Sequence, residues 1–290
     1  MESNFITAIF LPVALGIIML GMGLSLAPYH FRQVMVAPKP VLIGLLSQLC
    51  FLPLLAWVIA LAVGLGPELA VGLVLIAACP GGPTSNLIAH LANGDSALSI
   101  TLTALSSIII IFTIPFIINA ASLYFLGEGQ YVSLPVLQTI LQIFLVTILP
   151  VSIGMFINGK FPQLAKRCEK PVKVLSGFFL LLVIIGAILK ERENILGFVA
   201  QVGVSTVCLN VGAMVFGYIV GRLFKLASQQ IRTITIEVGI QNGTLGIAIA
   251  SAPSLLNNST MAIPAAIYSL LMFVTGAAIV FWSFKGNRAS

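Results

Sequence analysis

Apolar segments long enough to cross a lipid bilayer recur along the whole chain. A membrane-spanning helix needs about 20 mostly apolar residues. Only 8% of the 290 residues are charged and 59% are hydrophobic. A soluble protein could not bury so much apolar surface, so we expect an all-α polytopic membrane protein of about nine transmembrane helices in lipid. The predicted spans are residues 5–26, 40–64, 68–92, 96–118, 132–157, 172–189, 195–221, 230–255 and 261–284.

The basic residues predict the orientation of these spans. With the N-terminus outside, 12 of the 14 lysines and arginines fall in inner loops or in the C-terminal tail. Only Lys190 and Arg192 fall on the other side. This asymmetry follows the positive-inside rule and predicts a multi-pass protein of the inner or plasma membrane with a cytoplasmic C-terminus. It accounts for the net charge of +6 without a nucleic-acid partner, and the short connections predict one transmembrane unit over residues 1–290.

One acidic residue, Glu237, lies inside a predicted span, whereas the other seven lie in loops or tails. A carboxylate at that depth costs at least ~2.5–3.5 kcal/mol on insertion scales, and no span interior contains a lysine or arginine to pair with it. Gln241, Asn242 and Gly243 follow closely. Glycine lets a helix unwind and side-chain amides satisfy the freed backbone, so we predict a functional break here. The alternative is a glutamate near a helix end that reaches the interface.

A second break is predicted in the third span, where two prolines and two glycines form the run Pro80 to Pro83. Such a run interrupts any helix. The alternative is a loop between two short interfacial helices, but the charge pattern requires this segment to cross. Asn86 and Asn242 are 156 residues apart, slightly over half the chain, so spans two to four correspond to spans seven to nine. The starts of the two copies are five spans apart, an odd number, which gives them opposite orientation. Paired broken helices in an inverted repeat indicate the binding site of a secondary transporter.

The polar residues around the two breaks suit a hard cation. Half-helix C-termini and freed carbonyls attract cations, and half-helix N-termini attract anions. Sodium should prefer carboxylate, amide, hydroxyl and carbonyl oxygens, by the logic that applies to other hard cations. The candidate oxygen donors are Gln48, Ser85, Asn86, Ser99, Thr103, Glu237, Gln241 and the backbone near Val238 and Ile240.

Several of these motifs resemble the bile acid:sodium symporter family. They are PGGPTSN (80–86), ALS (97–99) with Thr103, EVGIQN (237–242) and PKPVLIGLLSQLCFLPLLAW (38–57). The resemblance implies a core domain and a panel domain, with two crossing discontinuous helices in the core. The core would comprise residues 40–118 and 195–284, and the panel residues 5–26 and 132–189. It also implies a symporter that couples Na⁺ to an organic anion, bile-acid-like or a smaller carboxylate, by alternating access.

The resemblance further implies two Na⁺ sites and a substrate contact. One Na⁺ site would use Ser85, Asn86, Ser99, Thr103 and Glu237. The other would use Gln48, Glu237, Gln241 and the carbonyls of Val238 and Ile240. Pro83, Thr84, Asn242 and Gly243 are the substrate candidates, although some relatives have small residues where this chain has Pro83-Thr84, which leaves the solute open.

Other functions remain open at this point. A proton-coupled permease, or a permease of related fold that exports a metalloid or anion, is the main alternative, because a lone buried glutamate can carry a proton. An intramembrane enzyme or a channel is disfavoured, since hydrolysis would require a nucleophile with a base, a carboxylate pair or a metal. We therefore expect no enzymatic activity. The sequence does not define the oligomeric state, and a monomer is compatible with it.

Overall fold

Every regular element of the described chain is a helix. The structure is a computed structural model that describes residues 10–26, 33–127, 134–190 and 195–286. The start of the first predicted span and several loop charges, among them Glu2, Arg32 and Arg192, lie outside these residues. The helices are α1 (Leu11–Ser25), α2 (Gln33–Val36), α3 (Pro38–Leu46), α4 (Leu52–Val63), α5 (Pro67–Ala78), α6 (Pro83–Leu91), α7 (Ser96–Leu126), α8 (Val136–Ile143), α9 (Leu149–Lys160), α10 (Pro162–Lys190), α11 (Ile195–Leu223), α12 (Ser228–Gly239), α13 (Gly243–Ser251) and α14 (Ile263–Gly286).

The lengths and apolar character of these helices fit an integral membrane protein. Five described segments are long and apolar enough to cross a bilayer. A sixth results if α5 and α6, which are bent by 59° at their break, count as one span. The shorter α1 is also apolar. The all-helical membrane fold is thereby confirmed, whereas the number of nine spans stays a prediction.

Two spans contain a widened turn immediately before a proline. A π-helical segment, π1 (Ser47–Phe51), joins α3 to α4 and precedes Pro53, and a second, π2 (Phe144–Ile148), joins α8 to α9 and precedes Pro150. Proline cannot donate to the carbonyl four residues earlier and clashes with it, and a π turn accommodates the lost hydrogen bond. Gln48, a candidate site residue, lies in π1. The π turn next to Pro53 therefore helps to set the direction in which the Gln48 side chain leaves the helix.

The basic connection predicted between spans five and six is helical rather than a loop. Helix α9 continues to Lys160, and α10 begins one residue later at Pro162. Phe161 separates the two helices, with a non-helical backbone at φ −130° and ψ 64°. Proline is favourable at the first position of the next helix, because the N–H that it lacks would have no partner within that helix. Lys166 and Arg167 therefore lie on the first turns of α10.

Both predicted breaks are present, and they lie against each other. The first separates α5 from α6 over residues 79–82, and the second separates α12 from α13 over residues 240–242. The Asn242 N–H donates to the Pro80 carbonyl at 2.8 Å, which joins the two. The order of a helix, a broken helix and a long helix occurs twice, first from α3 to α7 and then from α11 to α14. Their opposite orientation in the membrane stays a prediction.

The helices pack in two groups. Helices α1, α9 and α10 pack against one another, and Gly23 allows α1 to approach α9 so closely that a Cβ there would overlap the Val151 carbonyl. The broken helices pack among α4, α7, α11 and α14. This grouping is compatible with the panel and core proposed from the sequence, although the domain boundaries stay a prediction.

Candidate functional site

The carboxylate of Glu237 lies at the centre of a buried polar cluster. Glu237 is on the last turn of α12 and is 1% exposed. Two hydroxyls from α7 reach it: Ser99 Oγ bonds to Oε1, and Thr103 Oγ1 donates to Oε2 at 2.9 Å. Ser99 and Thr103 lie one turn apart, so they occupy the same face of α7. These contacts join the end of α12, just before the second break, to α7.

Asn86, at the start of α6, contacts the same two hydroxyls. Its Oδ1 lies 2.8 Å from Ser99 Oγ and 3.1 Å from Thr103 Oγ1. Each hydroxyl has one proton but lies within hydrogen-bond distance of two acceptor oxygens, one on Asn86 and one on Glu237. The cluster therefore has four close oxygen contacts and only two hydroxyl protons to fill them. An oxygen-rich site that lacks protons is the kind that a hard cation fits.

The backbone of the first break touches this cluster directly. A Cβ added at Gly81 would lie 2.6 Å from Glu237 Oε2, 3.0 Å from Ser85 Oγ and 3.2 Å from Thr103 Oγ1. Ser85 is fully buried, and its hydroxyl donates to the Gly82 carbonyl at 2.8 Å, which leaves a lone pair for a further partner. The structure thus brings together all five side chains of the first predicted Na⁺ site.

A second polar group surrounds the C-terminal end of α12. Gln48 Nε2 lies 3.4 Å from both the Glu237 carbonyl and Gln241 Oε1. Gln241 Nε2 donates to the Val238 carbonyl at 2.8 Å. Gln48 Oε1 is buried and has no hydrogen-bond partner in the described part of the chain. Ile240 is buried in an extended conformation between the two helices. The residues of the second predicted site therefore lie together, with one buried acceptor oxygen unused.

The last carbonyl of α12 is held by two side chains from other helices. Gly239 O accepts from Asn210 Nδ2 at 2.7 Å and from Tyr268 Oη at 2.8 Å. Asn210 lies on α11 and is fully buried. Sequence reasoning missed Tyr268, which is fully buried on α14. A tyrosine in an apolar span gives no local signal, because its partner lies 29 residues away in the chain.

The predicted substrate residues lie where the N-termini of α6 and α13 meet. Asn242 Oδ1 caps α13 by accepting from the Leu245 N–H at 3.0 Å, while its Nδ2 is buried without a described partner. Pro83 and Thr84 are half-buried at the start of α6. Gly243 is buried against Ser269, and a Cβ added at Gly243 would overlap the Ser269 Oγ. Two helix N-termini and an unused amide donor suit an anion.

Broken membrane helices that meet around a buried carboxylate define a secondary transporter. Comparison with known proteins identifies its family. Residues 12–198 match the family described as "Sodium Bile acid symporter family". The chain belongs to this family.

Its relatives come from bacteria, plants and animals. It is 31% identical to "Uncharacterized sodium-dependent transporter YocS" of Bacillus subtilis, over 96% of this chain and 84% of that protein. It is 30% identical to "Probable sodium/metabolite cotransporter BASS1, chloroplastic" of Arabidopsis thaliana, over 95% of this chain and 67% of that protein. It is 28% identical to the human "Ileal sodium/bile acid cotransporter", over 84% of this chain and 71% of that protein. The chain is therefore a sodium-coupled membrane transporter and not an enzyme.

Proposed function

We propose that this protein is a symporter that couples Na⁺ to the uptake of an organic anion by alternating access. The solute would be bile-acid-like or a smaller carboxylate. The proton-deficient oxygen cluster around Glu237 is the observation that carries the proposal, because a bound cation would relieve the crowding of Asn86, Ser99, Thr103 and the carboxylate. Sodium is cargo at this site, and it crosses the membrane with the solute.

A second Na⁺ would bind at Gln48, Gln241 and the carbonyls of Val238 and Ile240. Gln48 Oε1, which is buried without a described partner, would be one of its ligands. Glu237 would serve both ions, since its side chain faces the first group and its carbonyl contacts Gln48. Ion binding would then fix both breaks in one arrangement.

The anion would bind beside the breaks through Pro83, Thr84, Asn242 and Gly243. Two Na⁺ against one carboxylate leave a charge of +1, which a monovalent anion neutralises. Asn242 Nδ2 and the helix N-termini would supply its hydrogen-bond donors. A cycle that moves two Na⁺ and one monovalent anion carries one net charge, so the membrane potential would assist uptake by roughly 2.3 kcal/mol per 100 mV.

Thermal unfolding of the purified protein tests the sodium assignment. The midpoint is measured in NaCl and in KCl at equal ionic strength and fixed pH. A ligand that binds only the folded state stabilises by RT ln(1 + [L]/Kd), so we expect a rise with Na⁺ in the wild type and none in Glu237→Gln. Glu68→Gln is the matched control. Glu68 Oε1 accepts a hydrogen bond from Asn258 Nδ2 at 2.7 Å, and neither residue lies in a break. A full sodium response in Glu237→Gln would contradict the proposal.

Proton coupling is the second candidate, because a proton on Glu237 would supply one of the two protons that the four oxygen contacts lack. The same measurement in KCl at several pH values separates the two. If acidification stabilises the wild type as strongly as Na⁺ does at neutral pH, and Na⁺ adds nothing, the coupling ion is H⁺. Sodium-driven uptake of a carboxylate panel into liposomes then identifies the solute.

A further inference from the structure

An apolar groove runs along α3, beside α7 and the end of α11. Its volume is about 510 Å³, within the range of about 300–1,000 Å³ that small-molecule sites have. Its walls include Leu42 and Leu45 of α3, Leu105 of α7 and Phe224, which follows α11. Leu45 lies three residues before Gln48, and Leu105 lies two residues after Thr103. None of the proposed ion ligands lines the groove.

The groove opens onto the surface that faces lipid. Leu42, Leu46 and Leu54 are each more than half exposed and follow helical spacing along one side of the span. In a membrane protein, such a stripe contacts acyl chains. Leu42 belongs both to this stripe and to the wall of the groove, which lies between α3, α7 and the end of α11.

A cation stands at the end of the groove. Lys39 Nζ donates to the Phe224 carbonyl at 2.7 Å and lies 5.9 Å from the centre of the Phe224 ring. An ammonium group has three donors, and the described residues use one of them. Arg222 and Lys225 are exposed on either side of Phe224. Lys39 is thus the charged residue that lines this apolar slot, and two further cations neighbour Phe224 in the chain.

We propose that this groove binds an anionic phospholipid, with its phosphate on Lys39 and an acyl chain between Leu42, Leu105 and Phe224. Basic pockets between transmembrane helices are typical sites for anionic headgroups. The long lysine side chain can extend along apolar surface while its charge reaches the headgroup layer. The occupant is a lipid rather than a free anion, because the slot beneath the charge is apolar.

The test uses the purified full-length protein in detergent with added phosphatidylglycerol, phosphatidylcholine or inorganic phosphate. Native mass spectrometry counts the bound lipid, and thermal unfolding measures the midpoint. We expect the wild type to retain and be stabilised by phosphatidylglycerol, and to respond to neither phosphatidylcholine nor phosphate. Lys39→Gln should require about fivefold more phosphatidylglycerol for half of the thermal response. This is the change expected when one cation is lost at an anionic lipid surface. Lys39→Arg should restore it.

Lys160→Gln is the matched control. Lys160 also lies over an aromatic ring, 5.7 Å from the centre of Phe156, but it does not line this groove. We expect its response to equal that of the wild type. Leu42→Ala keeps this lipid-facing position apolar but removes most of the side chain that lines the groove, so it should weaken phosphatidylglycerol binding with Lys39 intact. Equal retention of both lipids, an unchanged response in Lys39→Gln, or a phosphate response as large as the lipid response would overturn the proposal.

Discussion

The two helix breaks meet at one point but are maintained by different chemistry. The first break contains Pro80 and is followed by Pro83. Its hydrogen bonds are mostly local, between Ser85 and Gly82, and one tertiary bond joins the Asn242 N–H to the Pro80 carbonyl. The second break contains no proline. The carbonyls that it frees are bonded to Gln48, Gln241, Asn210 and Tyr268, three of which come from other helices. We infer that proline and glycine are sufficient to interrupt the helix at the first break, whereas the second break depends on tertiary hydrogen bonds.

This difference predicts which break responds to its surroundings. Proline and glycine keep the first break open whatever binds nearby. The second could continue as helix if its side-chain partners were lost, because no residue from Glu237 to Gly243 forbids a helical backbone. We therefore expect the second break to be the part whose stability depends on bound ions and on distant residues.

The largest effect should come from Gly81→Ala, which places a methyl group of the first break against the Glu237 carboxylate. The new Cβ would lie 2.6 Å from Glu237 Oε2, and overpacking of this kind costs about 1–3 kcal/mol. If this cost destabilises only the ion-bound state, the sodium concentration that gives half of the thermal response rises about five- to 150-fold. Gly66→Ala is the control, since a Cβ there meets nothing within 4 Å. A normal sodium response in Gly81→Ala would show that Gly81 does not adjoin the ion.

The next effect should appear at the second break when Gly239 loses its donors. Tyr268→Phe removes one hydrogen bond and leaves Asn210 in place, so we expect a loss of about 1 kcal/mol in the free energy of unfolding. Adding Asn210→Ala leaves the buried carbonyl without either donor, which costs about 1–3 kcal/mol. A double-mutant cycle measures the coupling. Strict additivity of the two losses would contradict a shared role on this carbonyl.

The sequence was informative wherever the signal was local. The breaks follow from a proline–glycine run and from a lone carboxylate with amides and glycines, and the termini of most spans agree with the structure within a few residues. Helix α7 extends to Leu126, beyond the predicted end at residue 118, and contains Pro115 in its interior. Tyr268 could not be found, because its role is set by packing between α12 and α14. The π turns precede Pro53 and Pro150, and a hydropathy pattern does not reveal them.

A smaller effect should separate capping from substrate binding at Asn242. Asn242→Ala removes the oxygen that caps α13, at a cost of about 1 kcal/mol. Asn242→Asp keeps a cap oxygen but replaces the unused Nδ2 donor with a negative charge. We therefore expect Asn242→Asp to unfold near the wild-type midpoint and to lose sodium-driven carboxylate uptake. Wild-type uptake by Asn242→Asp would exclude Asn242 from the anion site.

The smallest effect should come from Pro83→Ala at the first break. Proline at the first position of α6 restricts the unfolded chain, so its loss costs about 0.4–1 kcal/mol. Pro80, Gly81 and Gly82 remain, and the bonds of Ser85 to Gly82 do not involve the ring of Pro83. The break should therefore persist, and the sodium concentration for half of the thermal response should equal that of the wild type. A response weakened as much as in Gly81→Ala would mean that the first break, like the second, depends on every one of its contacts, and the contrast between local and tertiary control would fail.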